Sequence, residues 1–307
     1  MKRTLMATAG ALAVALTLTA CGGSSDPLGG GAPAGEPAAA DTIKVGSANF
    51  SENVLLAEIY AQALTANGVK VEKSLNLGSR ETYYPGLQDG SIDLIPDYTG
   101  NLLQHIDKSA TATTSQDVYA QLQQKLPPNL TVLEQSAAQN KDAVVVTQQT
   151  AQQYNARSIA DLAPNCGQIV FGGPPEFQTR PYGLPGIERI YGCTFTEFRS
   201  LDAGGPLTVK ALEDGTVGAA DLFTTDATIA QKGWVVLEDP RNNFAAQNVV
   251  PLINEAKASD TVRQVLDAVS AKLTTQGLTE LNAKLAAPDK PNVDVVAKEW
   301  LTANGLL

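Results

Sequence analysis

The hydrophobic and polar positions divide the chain into a leader, a polar stretch and a long alternation of strands and helices. Positions 5–20 are an almost unbroken apolar and small-residue run, preceded by Lys2 and Arg3 and closed by Leu18-Thr19-Ala20-Cys21. The run is shorter than the ~20 residues of a spanning helix, and its basic start, apolar centre and small-residue end have the order of a secretion signal. From 22 to 41 the chain reads GGSSDPLGGGAPAGEPAAAD, with too little apolar bulk to offset the entropy of ordering it. Periodicity begins at residue 42. The spacing predicts a buried strand at 43–47, a helix at 52–67, a strand at 69–77, a helix at 82–89, and a strand at 92–95 that stops at Pro96. This order implies a largely parallel sheet with helices on both faces and a ligand crevice at the carboxyl ends of its strands.

The same order returns after residue 140. Strands are expected at 143–147, 168–172 and 217–222, and helices at 150–154, 183–191 and 207–212, with the segment 159–162 between the first helix and the second strand. Helices at 260–276, 277–286 and 293–301 then pack back on the first lobe. The expectation is an α/β, two-lobed fold, with lobe 1 at 42–140 and 241–307 and lobe 2 at 141–240. Crossings near 139–143 and 236–250 make a hinge able to close the cleft between the lobes on a ligand. One internal similarity is more specific. Leu87-Gln88-Asp89-Gly90-Ser91-Ile92 matches Leu212-Glu213-Asp214-Gly215-Thr216-Val217 at an offset of 125, and the same register sets Tyr98-Thr99 against Phe223-Thr224. Both aromatics are expected to face the crevice, where strands leave their sheets.

Composition narrows the function. The chain carries 22 basic against 32 acidic residues, a net charge of −10, which argues against nucleic acid and anionic lipid as partners and permits a cationic ligand. Cys21 closes a lipobox, so residues 1–20 are read as a lipoprotein signal peptide and Cys21 as the lipidated first residue of the mature protein. Residues 21–41 then tether it to the outer face of a membrane with a reach of roughly 25 Å. The other two cysteines, Cys166 and Cys193, are expected to form a disulfide in that oxidising compartment, contributing roughly 3–4 kcal/mol. No catalytic set or metal site is expected: the one histidine, His105, has no nucleophile motif beside it, and Gly204-Gly205-Pro206 lacks the context of a phosphate cradle.

Six segments carry a family resemblance: Ile43-Lys44-Val45-Gly46-Ser47, Phe50-Ser51-Glu52-Asn53, Leu77-Gly78-Ser79-Arg80, Gly90-Ser91-Ile92-Asp93, Pro96-Asp97-Tyr98-Thr99-Gly100 and Thr224-Thr225-Asp226. Together they resemble the substrate-binding proteins of osmoprotectant ABC importers, those for glycine betaine, choline and carnitine. The resemblance implies a periplasmic-binding-protein-like fold, a small-molecule solute, a membrane permease and its cytoplasmic ATPase as partners, no cofactor, and a monomer. It implies that aromatic rings cage a trimethylammonium head while an arginine or polar donors hold a carboxylate tail. Tyr98 and Phe223 match cage positions, Arg180 the carboxylate arginine, and Asn101 a polar donor after the Tyr-Thr-Gly. Two further cage positions depart from the pattern, with Ala143 preceded by Asp142 at one and Gln247 near Phe244 at the other. Asp142 and Gln247 are therefore expected to supply hydrogen bonds, with Phe244, Tyr84 or Tyr182 as replacement rings. A rival reading is a lipoprotein receptor for a different polar or aromatic ligand, acting in sensing rather than import; neighbouring permease and ATPase genes would discriminate.

Overall fold

The computed structural model describes residues 42–307, so the expected signal peptide at 1–20, Cys21 and the expected tether at 21–41 lie outside the described residues. The chain lays down β1 (Thr42–Gly46), α1 (Ser51–Ala66), β2 (Lys70–Ser74), α2 (Arg80–Asp89), β3 (Leu94–Tyr98), α3 (Thr99–Ile106), α4 (Ser115–Lys125) and β4 (Leu130–Val132). It then crosses to build β5 (Asp142–Val146), α5 (Gln148–Gln153), α6 (Ile159–Leu162), β6 (Val170–Gly173), α7 (Leu184–Tyr191), β7 (Glu197–Ser200), α8 (Pro206–Glu213), β8 (Ala219–Phe223), α9 (Ala227–Gln231) and β9 (Val235–Val236). It returns through β10 (Val249–Asn254) to α10 (Asp260–Lys272), α11 (Thr275–Leu285) and α12 (Val293–Ala303).

Two five-stranded sheets result, ordered β2-β1-β3-β10-β4 and β7-β6-β8-β5-β9. Position for position they are the same sheet. In each, one strand runs against the others, and that strand, β10 or β5, is the first after a crossing. Both sheets are buried on both faces. In lobe 1, α1 and α10–α12 cover one face through Leu55, Ile59, Leu266 and Leu301, while Leu87, Leu102 and Leu122 cover the other. Most positions of α1 are buried, among them Leu55, Leu56, Ile59, Tyr60 and Leu64, as a helix enclosed between a sheet and other helices requires.

The offset of 125 holds in space: β3 spans 94–98 and β8 spans 219–223. The helices before them each give way to a left-handed glycine, Gly90 at φ +79° and Gly215 at φ +70°, a conformation in which a side chain would be strained.

Several boundaries move. The strands β4, β7 and β10 are not among the expected ones, and β7 is a largely polar edge. The helix expected to reach residue 276 ends at Lys272, because the Thr274 hydroxyl accepts from the Gly277 N–H at 3.1 Å and caps α11. The return crossing falls between Phe244, in the core of lobe 2, and Ala245, in the core of lobe 1, a few residues beyond the expected boundary at 241. Cys166 and Cys193 are bonded to one another inside the core of lobe 2.

Candidate functional site

The cleft between the lobes lies at the carboxyl ends of β3 and β8. Its walls include Phe50, Arg80, Tyr83, Tyr98 and Asn101 from lobe 1, and Asp142, Glu176, Arg180 and Phe223 from lobe 2. Counting the open solvent at its mouth, the space between these walls is about 550 Å³.

Three rings meet there. The Phe50 ring centre stands 6.0 Å from that of Tyr98 and 5.1 Å from that of Phe223, across the lobe boundary. Tyr98 and Phe223 thus converge as their shared register predicts, and Phe50, at the N-cap of α1, joins them. The replacement rings stay elsewhere. Phe244 packs against Phe177 in the core of lobe 2 and Tyr84 against His105 in lobe 1, while Tyr182 is buried behind Arg180. Phe244 therefore does not reach the cleft wall. Burial holds the His105 imidazole below its ordinary pKa, in keeping with a packing role.

Glu52 is the polar centre. It is 4% exposed, and both carboxylate oxygens are saturated. Oε1 accepts from the Tyr98 hydroxyl and the Asn140 side chain, each at 2.8 Å, and Oε2 from the Thr225 hydroxyl and the Asn282 side chain, each at 2.6 Å. These four donors come from β3, a crossing, lobe 2 and α11, so one side chain joins every part of the molecule that meets at the cleft. Burial first, then Glu52, pushes the Tyr98 phenol well above its ordinary pKa and keeps it a donor. Its partners lie between 46 and 230 residues away in sequence. Only the Phe50-Ser51-Glu52-Asn53 box could have drawn attention to it.

The acids and arginines are arranged unequally. The Arg80 guanidinium forms a buried fork with Asp97, which also accepts from the Tyr83 hydroxyl at 2.9 Å. Arg180 donates through Nε and Nη2 to Glu81 at 3.0 and 2.9 Å, and through Nη1 to the Tyr182 hydroxyl at 2.9 Å. Among the described residues, both guanidinium groups on the cleft wall are thus already paired. Asp142 accepts from the Asn101 side chain at 2.7 Å, and the Asn101 backbone N–H donates to Gln247 at 3.0 Å. Gln247 is buried behind Asn101 and braces it. Gly100 permits this, since a Cβ there would stand 2.6 Å from the Ala246 carbonyl. Burial raises the Asp142 carboxyl, against the opposing pull of Asn101 and the arginines. Behind it, Asp221 is 2% exposed, its Oδ1 has no partner, and burial followed by Asp142 raises it strongly.

Facing rings and a buried acid suit capture of a small cation or zwitterion. Residues 41–303 match the family described as the substrate binding domain of the ABC-type glycine betaine transport system. The chain belongs to that family. It is 29% identical over 282 residues to the glycine betaine-binding protein YehZ of Escherichia coli K12, covering 87% of this chain and 92% of that one. It is 24% identical over 259 residues to the ergothioneine transport permease/ergothioneine binding protein EgtU of Helicobacter pylori G27, covering 83% of this chain and 46% of that protein. The crystal structure of a glycine betaine/carnitine/choline ABC transporter superposes with a TM-score of 0.68 at 22% identity, over 86% of this chain and 99% of that chain. The fold is that of two-lobed periplasmic binding proteins, and the family is one of solute-binding proteins rather than enzymes. Among the described residues no helix is long and apolar enough to cross a membrane.

Proposed function

We propose that the protein is a lipid-anchored, extracytoplasmic receptor that closes its two lobes on a quaternary ammonium solute of the glycine betaine, choline or carnitine type. It then delivers that solute to an ABC permease driven by its ATPase. The observation that carries this reading is the convergence of Phe50, Tyr98 and Phe223 from both lobes. A desolvated cation over several ring faces gains roughly 0.5–2 kcal/mol per contact, and a three-ring wall suits a bulky methylated head. Asp142, braced through Asn101, adds a buried acceptor for a hydroxyl or cationic group. Lipid on Cys21 and the 21–41 tether would keep the loaded receptor within reach of the permease and raise its effective concentration there.

A thermal-shift screen of glycine betaine, choline, carnitine, sugars and aromatic compounds tests the ligand class, since a tight ligand raises stability by mass action. The expected result is saturable stabilisation by a quaternary ammonium compound, abolished when Tyr98 and Phe223 are both replaced by Ala. Unchanged affinity in the double variant would remove the site. Delivery is tested by uptake of that compound into cells with and without the receptor.

A further inference from the structure

The Nε/Nη2 edge of Arg180 is the edge that a solute carboxylate would use, and Glu81 occupies it with both oxygens. Arg180 follows the 3-10 turn Pro175–Gln178 in lobe 2, whereas Glu81 lies in the first turn of α2 in lobe 1, so the contact bridges the cleft. Arg180 is 15% exposed and Glu81 45%. Nη1 also donates to the Tyr182 hydroxyl, and Glu176 stands 3.8 Å from Nη2 as a longer-range ion-pair partner. Burial works against the charge on Glu81, but hydrogen bonds from Arg180 outweigh it and bring its pKa down to about 2, so it is an anion throughout the physiological range.

We infer that Glu81 is an internal stand-in for a ligand carboxylate: it latches the lobes through Arg180 and selects against solutes that need Arg180 for a carboxylate of their own. This rests on the reading of the cleft as a quaternary ammonium site. A guanidinium edge accepts one bidentate carboxylate. A betaine that takes this edge must evict Glu81 and then sit beside its displaced negative charge, whereas a cation with a hydroxyl tail closes the cleft with the bridge intact. Specificity of this kind comes from a repulsive element rather than an added attraction.

The test uses the full chain in mild detergent, wild type and Glu81→Gln, titrated calorimetrically with glycine betaine and with choline. Glu81→Gln is expected to tighten glycine betaine by about fivefold, the scale of one partly exposed ion pair, and to leave choline unchanged or weaker. Glycine betaine binding that is unchanged or weaker, or equal tightening for both compounds, overturns the inference. A second readout needs no ligand. With dyes on cysteines placed at the exposed Lys125 and Lys210 positions, one in each lobe, the Glu81→Gln protein is expected to shift towards longer single-molecule distances than wild type. If neither compound binds either protein, the quaternary ammonium reading fails, and the dye distances decide the latch alone: a shift upholds it and no shift overturns it.

Discussion

The strands β3 and β8 occupy the same place in matching sheets, 125 residues apart, and their buried acids have opposite surroundings. Asp97 in β3 is held by the Arg80 fork and the Tyr83 hydroxyl. Among the described residues Asp221 in β8 has no cation hydrogen-bonded to it, leaves Oδ1 without a partner, and shares its surroundings with a second acid, Asp142, while Arg180 acts on it only through its field. Lobe 1 has neutralised its charge internally and serves as a rigid wall. Lobe 2 keeps two buried acids behind the cleft whose ionisation burial disfavours, and an incoming cation would favour their charged forms. A duplicated backbone therefore does not imply duplicated electrostatics, and the electrostatic difference fits the two lobes for different tasks.

Arg80→Met should break the comparison most severely. It strands Asp97 without its ion-pair partner, and losing one member of a buried pair costs about 3–5 kcal/mol. Urea unfolding should show that loss; a change under about 1 kcal/mol, the worth of an exposed pair, would mean that Asp97 does not depend on Arg80. Next comes Glu52→Gln, which keeps the volume of the side chain but presents an amide N–H₂ to donor groups. All four donors would lose a charged acceptor, and the two facing the amide nitrogen would lose their acceptor altogether, costing about 2 kcal/mol or more. Because Thr225 and Asn282 are among them, the variant should also weaken the closed form, seen as a wider lobe separation by scattering.

Much of this architecture was legible in the chain. Alternation and helical spacing locate β1, α1, β3, β5 and β8, and the Asp-Gly turns fix the offset that sets Tyr98 against Phe223. Where the signal ran out, the cause was distance in sequence. The antiparallel placement of β10 between β3 and β4 is decided by pairing with residues more than a hundred positions earlier, such as Val249 with Tyr98 and Leu252 with Val132. Glu52 and Glu81 both lie in the first turn of a helix, where an acid ordinarily serves the helix dipole and stays solvated; their partners in the other lobe leave no local mark. Asn101, Asp142 and Gln247 were visible as a group, but only the packing reveals that Gln247 braces Asn101 and that Phe244 belongs to the core of lobe 2.

Asp221→Asn sharpens the contrast through pH. Burial raises the folded pKa of Asp221, so the folded chain keeps a proton that the unfolded chain, near its ordinary ~3.9, releases. The stability tied to this group is intact at low pH. It declines as pH climbs above the unfolded value, and levels off once the folded carboxyl ionises. Asparagine has no such slope. The variant should be more stable than wild type by about 1–2 kcal/mol at pH 8, with the advantage shrinking towards pH 4. Parallel stability curves from pH 4 to 8 would show that Asp221 is satisfied in a way its unpartnered Oδ1 does not reveal.

The smallest change is the most specific, because Tyr98→Phe makes the end of β3 a copy of the end of β8. The ring and its contact with Phe50 remain, and only the hydroxyl donated to Glu52 is lost. Oε1 still accepts from Asn140, so the cost should be near 0.5–1 kcal/mol. If Tyr98 serves the ligand as a ring face, affinity for a quaternary ammonium solute should change by less than about twofold, since the π-face of Phe also attracts a cation. If instead the hydroxyl matters chiefly as the strut that places Glu52, and through it Thr225, affinity should fall several-fold while the ring stays in place. Calorimetry on Tyr98→Phe beside Phe223→Ala separates the two roles: the first variant removes a hydrogen bond and keeps a wall of the cage, and the second removes a wall.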